Sequence, residues 1–144
     1  MSAVIPQPPR KQVNLWTDGS CHPNPGPGGW AFVVIFGELT SEGSGFAADT
    51  SNNRMELTAV IQGLKALNQP CDVTVYCDSQ WVVKCAQRQW KRKANTDLWL
   101  AYDAAASRHT VRWQWIKGHA GTHWNERCDA LAGAARRAGL KVAP

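Results

Sequence analysis

The chain has 144 residues, enough for one domain that buries roughly two thirds of the surface its unfolded form exposes. A hydrophobic fraction of 44% with eight Trp predicts a packed core, and no apolar run approaches the ~20 residues that span a bilayer. Sixteen Lys and Arg against eleven Asp and Glu leave a formal charge of +5, which favours a polyanion such as nucleic acid as partner without requiring one.

Residues 1–12 (MSAVIPQPPRKQ) have neither the apolar stretch nor the cleavage site of a secretory signal. Their Pro cluster predicts a short disordered lead-in before a single domain over residues 13–140. Cys21, Cys71, Cys77, Cys85 and Cys128 make an odd set without a C-x-x-C pair, which suggests reduced thiols rather than a disulfide framework or a zinc site. A soluble, cytoplasmic protein is expected.

Val13 to Thr17 alternates in polarity as a strand does, and the run stops at Asp18 before a loop dense in Gly and Pro (GSCHPNPGPGG). GWAFVVIFGE, from Gly29, predicts a longer strand, with Ser41 to Ala47 as its hairpin partner. In SNNRMELTAVIQGLKALN, Leu57, Val60, Ile61, Leu64 and Leu67 recur at helical spacing, Ser51 or Asn52 can cap the start and Pro70 closes the end. Val73, Val75 and Cys77 form another alternating strand, which again ends on an acid, Asp78.

A strand, a helix and a second strand imply a right-handed crossover that leaves the two strands parallel. Asp18 and Asp78 then lie side by side at the carboxyl edge of the sheet, where open α/β folds bind ligands. Beyond Asp78, SQWVVKCAQRQW predicts a short helix and KRKANT a basic connector with Asn95 or Thr96 as a cap. DLWLAYDAAASR predicts a further helix, VRWQWI from Val111 the last strand, and KGHAGTHW a loop into a final helix with Cys128, Leu131, Ala132 and Ala135 on its apolar face.

Four acids stand out by position: Asp18 and Asp78 at strand ends, Glu56 in the expected first turn of its helix, and Asp129 in the last helix. Each has an ordinary explanation: a turn, a helix cap, a helix dipole, a solvated face. Converging on one sheet edge they would repel one another unless a cation neutralised them, and hard oxygen donors suit Mg²⁺ or Mn²⁺. Two such ions roughly 4 Å apart can activate a water and stabilise the leaving oxygen of a phosphodiester.

TDGSCHPNPGPGGW, NNRMELTAVIQGL, YCDSQWV, DLW and WIKGHAGTHWNERCDALA occur in an order and spacing that resembles type 1 ribonuclease H. The resemblance spans Val13 to Ala135. It implies an α/β ribonuclease H-like fold, a mixed five-stranded sheet flanked by helices, and an endonuclease that hydrolyses the RNA strand of RNA/DNA hybrids, leaving 3′-hydroxyl and 5′-phosphate ends. It further implies two Mg²⁺ per active site, with Mn²⁺ able to substitute, held by Asp18, Glu56, Asp78 and Asp129, and a monomeric protein without membrane contact.

By the same resemblance, His119 aids proton transfer or product release, with Glu126 as an assistant. Asn24, Asn52 and Gln80, with the backbone of Gly19, Ser20 and Cys21, would read the 2′-hydroxyl, a group that both donates and accepts. Ser51, Arg54 and Asn95 match a pocket for a phosphate of the DNA strand. His22, His109 and His123 lack metal-ligand spacing and are expected to be structural or exposed. Trp16, Trp30, Trp113 and Trp115 are expected in the core, with Trp81 and Trp90 along the DNA groove.

Many bacterial relatives insert a basic helix and loop between the segments matching DSQWV and DLW. Here VKCAQRQWKRKAN fills that interval, too short for the handle, and Lys84, Arg88, Lys91, Arg92 and Lys93 are expected to form a reduced grip on the DNA strand. Two other functions fit parts of the pattern. A DNA resolvase or transposase core would also cluster acids, and a silent hybrid-binding module would share the fold; NNRMEL, GHAG and the intact acids favour the hybrid nuclease.

Overall fold

The computed structural model describes residues 9–118 and 120–142. In chain order the elements are β1 (Lys11–Cys21), β2 (Gly26–Phe36), β3 (Leu39–Thr50), α1 (Asn52–Lys65), β4 (Cys71–Cys77), α2 (Gln80–Ala86), α3 (Thr96–Ala106), β5 (Thr110–Trp115) and α4 (His123–Val142). The five strands form one sheet in the order β3-β2-β1-β4-β5. β3, β2 and β1 pair antiparallel, while β1, β4 and β5 pair parallel, so the sheet is mixed as expected.

Period-two alternation decides which side chains meet. Val13 and Leu15 of β1 join Val73, Val75 and Cys77 of β4 in a core with Leu57, Val60, Ile61 and Leu64 of α1. Burying each of these aliphatic chains contributes roughly 1.5–3 kcal/mol. Gly63 lets α1 approach β1 closely, since a Cβ there would lie 2.5 Å from Leu15 Cδ1. α4 packs across β1, β2 and β3, where Gly29 faces the backbone of Ala132 and Arg136.

The strands begin earlier than the sequence pattern suggests. Lys11 and Gln12 pair with Cys71 and Asp72, and Gln12 Nε2 donates to Asp72 Oδ2 at 2.9 Å. The lead-in expected over residues 1–12 therefore gives way to the sheet at Lys11, because β4 supplies ladder partners there. Its first eight residues lie outside the described residues. At the other end α4 runs to Val142, past the expected boundary at 140.

The tryptophans follow expectation only in part. Trp99 of α3, 3% exposed, is the buried one, in contact with Trp81 and Tyr102. Trp16 is only half-buried and stacks on Tyr76 with ring centroids 4.2 Å apart, because its side of β1 and β4 carries aromatic partners rather than the apolar core. Trp30 and Trp113 are half-buried and pack against the core as expected, whereas Trp115, near the end of the edge strand, is 41% exposed. Trp81 packs on the core through Trp99, while Trp90 stands in solvent.

Arg92 is likewise structural and not free to grip DNA. Its Nε and Nη2 donate to the carbonyls of Cys85 and Ala86, its Nη1 meets both Asp103 oxygens at 2.9 Å, and the guanidinium lies 4.4 Å over the Trp99 ring. A planar fork with an aromatic face suits this closure of the α2–α3 connection. Arg88 adds a longer ion pair to Asp103, at 3.6 Å. Of the five basic residues in the interval, Lys91 and Lys93 remain exposed, and Lys84 faces a groove against β5. No helix intervenes between α2 and α3.

Candidate active site

β1 and β4 run parallel and in register up to Trp16 and Tyr76. Two residues further on, each chain reaches an acid, Asp18 and Asp78. α1 brings the third. Ser51 is its N-cap, with φ −141° and its Oγ accepting from Arg54 N at 3.2 Å. Glu56 lies one turn in, beyond the stretch where it would simply complement the helix dipole. Gly19 permits this approach, because a Cβ there would sit 2.5 Å from Glu56 N.

One carboxylate oxygen from each of Asp18, Glu56 and Asp78 lies within 4.8 Å of the others. Asp18 is buried, 4% exposed, and its Oδ1 accepts from Gly19 N at 2.9 Å. Burial, then the charge of Asp78, pushes its carboxyl up to about 7. Burial and the charges of Asp18 and Asp78 raise Glu56 well above the ordinary carboxylate range. Glu56 Oε2 is sealed from solvent without a hydrogen-bond partner.

Three converging hard oxygens, two of them on acids that resist ionisation, and one orphaned buried oxygen fit a divalent cation. Asp129 does not join this group. It is exposed on α4, near enough to add to the charge repulsion on Asp18, while its neighbour Cys128 turns inward. His119 lies outside the described residues, and Glu126 is exposed in the first turn of α4.

The loop after β1 is tied to α1 by a chain of side-chain contacts. Cys21 N donates to Asn52 Oδ1 at 2.9 Å, and Asn52 N donates to Asn24 Oδ1 at 3.1 Å. Both amide oxygens are thus engaged, which directs the Nδ2 donors elsewhere. Ser20 is half-buried, Cys21 buried and Gln80 exposed at the start of α2.

Ser51, Arg54 and Asn95 converge as well, with Arg54 Nη1 donating to Asn95 Oδ1 at 3.1 Å. That bond explains the irregular start of α3. Asn95 sits in left-handed backbone, φ 60°, and makes no side-chain cap because Arg54 has taken its oxygen. The other partner of Arg54 is Asp97, bound through both oxygens at 3.0 and 2.8 Å. The hydrogen bond from Arg54 holds the Asp97 carboxyl down at about 2.

Sequence reasoning did not single out Asp97 or Asn125. Asn125 is 3% exposed, and its Nδ2 donates to Asp78 Oδ2 at 3.4 Å. Its spacing of three before the buried Cys128 was the available signal. Trp115 was expected in the core; instead its Nε1 donates to Asp78 O at 3.1 Å. Gly118 is also required close by, as a Cβ there would lie 2.9 Å from Asp78 Oδ2. His109, one of the histidines expected to be structural or exposed, is buried, and its Nδ1 accepts from Cys71 N at 3.1 Å.

The RNase H family model matches residues 10–137. Ribonuclease H of Bordetella pertussis is 47% identical, over 85% of this chain and 87% of the relative. Ribonuclease HI of Caulobacter vibrioides is 48% identical, over 84% and 90%. Among solved structures, an N-terminal RNase H domain from Mycobacterium tuberculosis aligns with a TM-score of 0.82 at 27% identity, covering 93% of this chain and 99% of that one. LC11-RNase H1 in complex with an RNA/DNA hybrid aligns at 0.79 and 25% identity, covering 89% and 99%.

Proposed function

Since this chain belongs to the ribonuclease H family of nucleases, we propose that it is an endonuclease cutting the RNA strand of RNA/DNA hybrids to 3′-hydroxyl and 5′-phosphate ends. The observation that carries this reading is the convergence of Asp18, Glu56 and Asp78 within 4.8 Å at the carboxyl edge of the sheet. In this reading the three acids, with Asp129, hold two Mg²⁺, for which Mn²⁺ can substitute. When bound, the cations polarise the scissile phosphate and favour ionisation of the attacking water and departure of the 3′ oxygen.

The chain's own residues do the positioning. Asn125 and Gly118 fix the Asp78 carboxylate, one by a hydrogen bond and the other by leaving room. Asn24 and Asn52, locked to the Cys21 loop, keep amide donors for the 2′-hydroxyl, joined by Gln80 and the Gly19, Ser20 and Cys21 backbone. Ser51, Arg54 and Asn95 receive a phosphate of the DNA strand, with Asp97 holding the guanidinium plane in place until the phosphate arrives. His119 relays a proton or assists product release. All five cysteines are free and buried, which supports a reducing, cytoplasmic setting; no helix among the described residues is long and apolar enough to cross a membrane, and the protein is proposed to act as a monomer.

The test is cleavage of an end-labelled RNA strand presented as a hybrid, single-stranded or in duplex RNA, with Mg²⁺ or a chelator, alongside duplex DNA. Cutting confined to the hybrid, dependent on the metal and lost in Asp18→Asn, supports the proposal. Cutting of duplex DNA would move the assignment to a resolvase-like nuclease. Hybrid binding without cutting would leave a binding module.

A further inference from the structure

A groove of about 230 Å³ lies between α2 and β5, lined by Gln80, Lys84, Gln87, Gln89, Trp113 and Trp115. Two of its lining residues adjoin Asp78 of the acidic site. Gln80 follows Asp78 by two residues, and Trp115 Nε1 is anchored on the Asp78 carbonyl at 3.1 Å. The bond at the ring's edge fixes the indole without using its face, and 41% of the residue stays exposed. Trp113 is held from behind by Tyr102, with centroids 5.9 Å apart.

We propose that this groove binds an unpaired ribonucleotide of the RNA strand next to the cut, so that a single-stranded RNA extension adds to substrate binding. The inference rests on the hybrid-nuclease reading and adds a binding site to it. The lining suits that occupant. Indole faces accept any base by stacking, three glutamine amides offer donors and acceptors to base edges and the 2′-hydroxyl, and the Lys84 ammonium meets one phosphate. A base still paired in a duplex cannot offer its face, so the groove selects single strand. Gln80, already counted among the readers of the RNA strand, makes RNA rather than DNA the strand that enters.

The experiment compares KM for a short blunt hybrid and for the same hybrid carrying an unpaired oligouridylate extension at either end of the RNA, in wild type and Lys84→Gln. Tryptophan fluorescence is titrated in parallel with single-stranded oligouridylate. The expected result is a KM about fivefold or more lower with an RNA extension, as for one stacked base. Lys84→Gln should lose that advantage, the ratio of KM for blunt and extended hybrids falling to about one whatever its KM for the blunt hybrid, and oligouridylate should quench the fluorescence less strongly in the variant.

Equal KM values for blunt and extended hybrids would overturn the proposal. So would an equal gain when the same hybrid carries instead an unpaired oligodeoxythymidylate extension on its DNA strand. A chain that leaves the blunt hybrid uncut fails the hybrid-nuclease reading; the fluorescence titration then decides the groove by itself, and an absence of quenching rejects it.

Discussion

Replacing Asp18 by Asn should stabilise the metal-free protein, and by an amount that depends on pH. Burial and the neighbouring Asp78 raise the Asp18 carboxyl from 3.8 to about 7, so the folded state holds a proton that the unfolded chain releases. The sign follows directly. Below pH 4 both states are protonated and nothing is lost; between pH 4 and 7 the unfolded state gains by ionising; above 7 the full cost is present. A rise of roughly three units corresponds to at most about 4 kcal/mol, and sharing of charge with Glu56 and Asp78 brings the expected gain of Asp18→Asn to roughly 2–4 kcal/mol at pH 8. Asn keeps the Oδ1 that accepts from Gly19 N, so little is lost in exchange. For a chain of this size the gain is a Tm rise on the order of 5–15 °C. The assay is thermal unfolding in chelator at pH 4 and pH 8, repeated with Mg²⁺. The gain should nearly vanish at pH 4 and shrink at pH 8 when Mg²⁺ stabilises the wild type. An equal gain at both pH values would refute the electrostatic reasoning and point to packing.

Asp97→Asn should leave kcat on a hybrid near wild type and raise KM a few-fold, because Arg54 loses a charged partner at both oxygens; steady-state kinetics at two salt concentrations checks this, and a fall in kcat alone would contradict a positioning role. Arg92→Ala should cost roughly 2–4 kcal/mol in urea unfolding, since it leaves the Cys85 and Ala86 carbonyls without their donors and strips the Trp99 face. If its hybrid affinity also fell at unchanged stability, Arg92 would belong to the DNA grip after all. Gly29→Ala should destabilise by roughly 3 kcal/mol or more, because the added methyl meets the Ala132 carbonyl of α4; circular dichroism melting would show a stable variant if the contact were soft.

Most of the fold was legible because it rests on periodicity. The 2.0 period of Val73, Val75 and Cys77 and the 3.6 period of Leu57, Val60, Ile61 and Leu64 each name a face to bury, and burial is what fixes these elements. The right-handed crossover between parallel strands then puts Asp18 beside Asp78. Boundaries were less legible. Whether Lys11 belongs to a strand depends on Cys71 lying opposite it, sixty residues away in sequence, and local pattern carries no trace of that.

The side chains that serve others were the least legible. Arg92 looks like any member of a basic run, yet the closure of α2 against α3 makes it an internal strut. Asp97 reads as an ordinary first-turn acid of α3 until Arg54 of α1 is found opposite. Asn125 and Trp115 gain their meaning from Asp78, in the link between β4 and α2. By itself the sequence determined the alternation and the helical stripes, and with them the parallel pairing that sets Asp18 beside Asp78; of the four acids it points to, the fold brings Asp18, Glu56 and Asp78 together. Only the tertiary structure decided which polar groups spend their hydrogen bonds on the protein and which keep them for a ligand. A hydrophobic stripe is a property of one segment, whereas a satisfied donor is a property of two segments meeting.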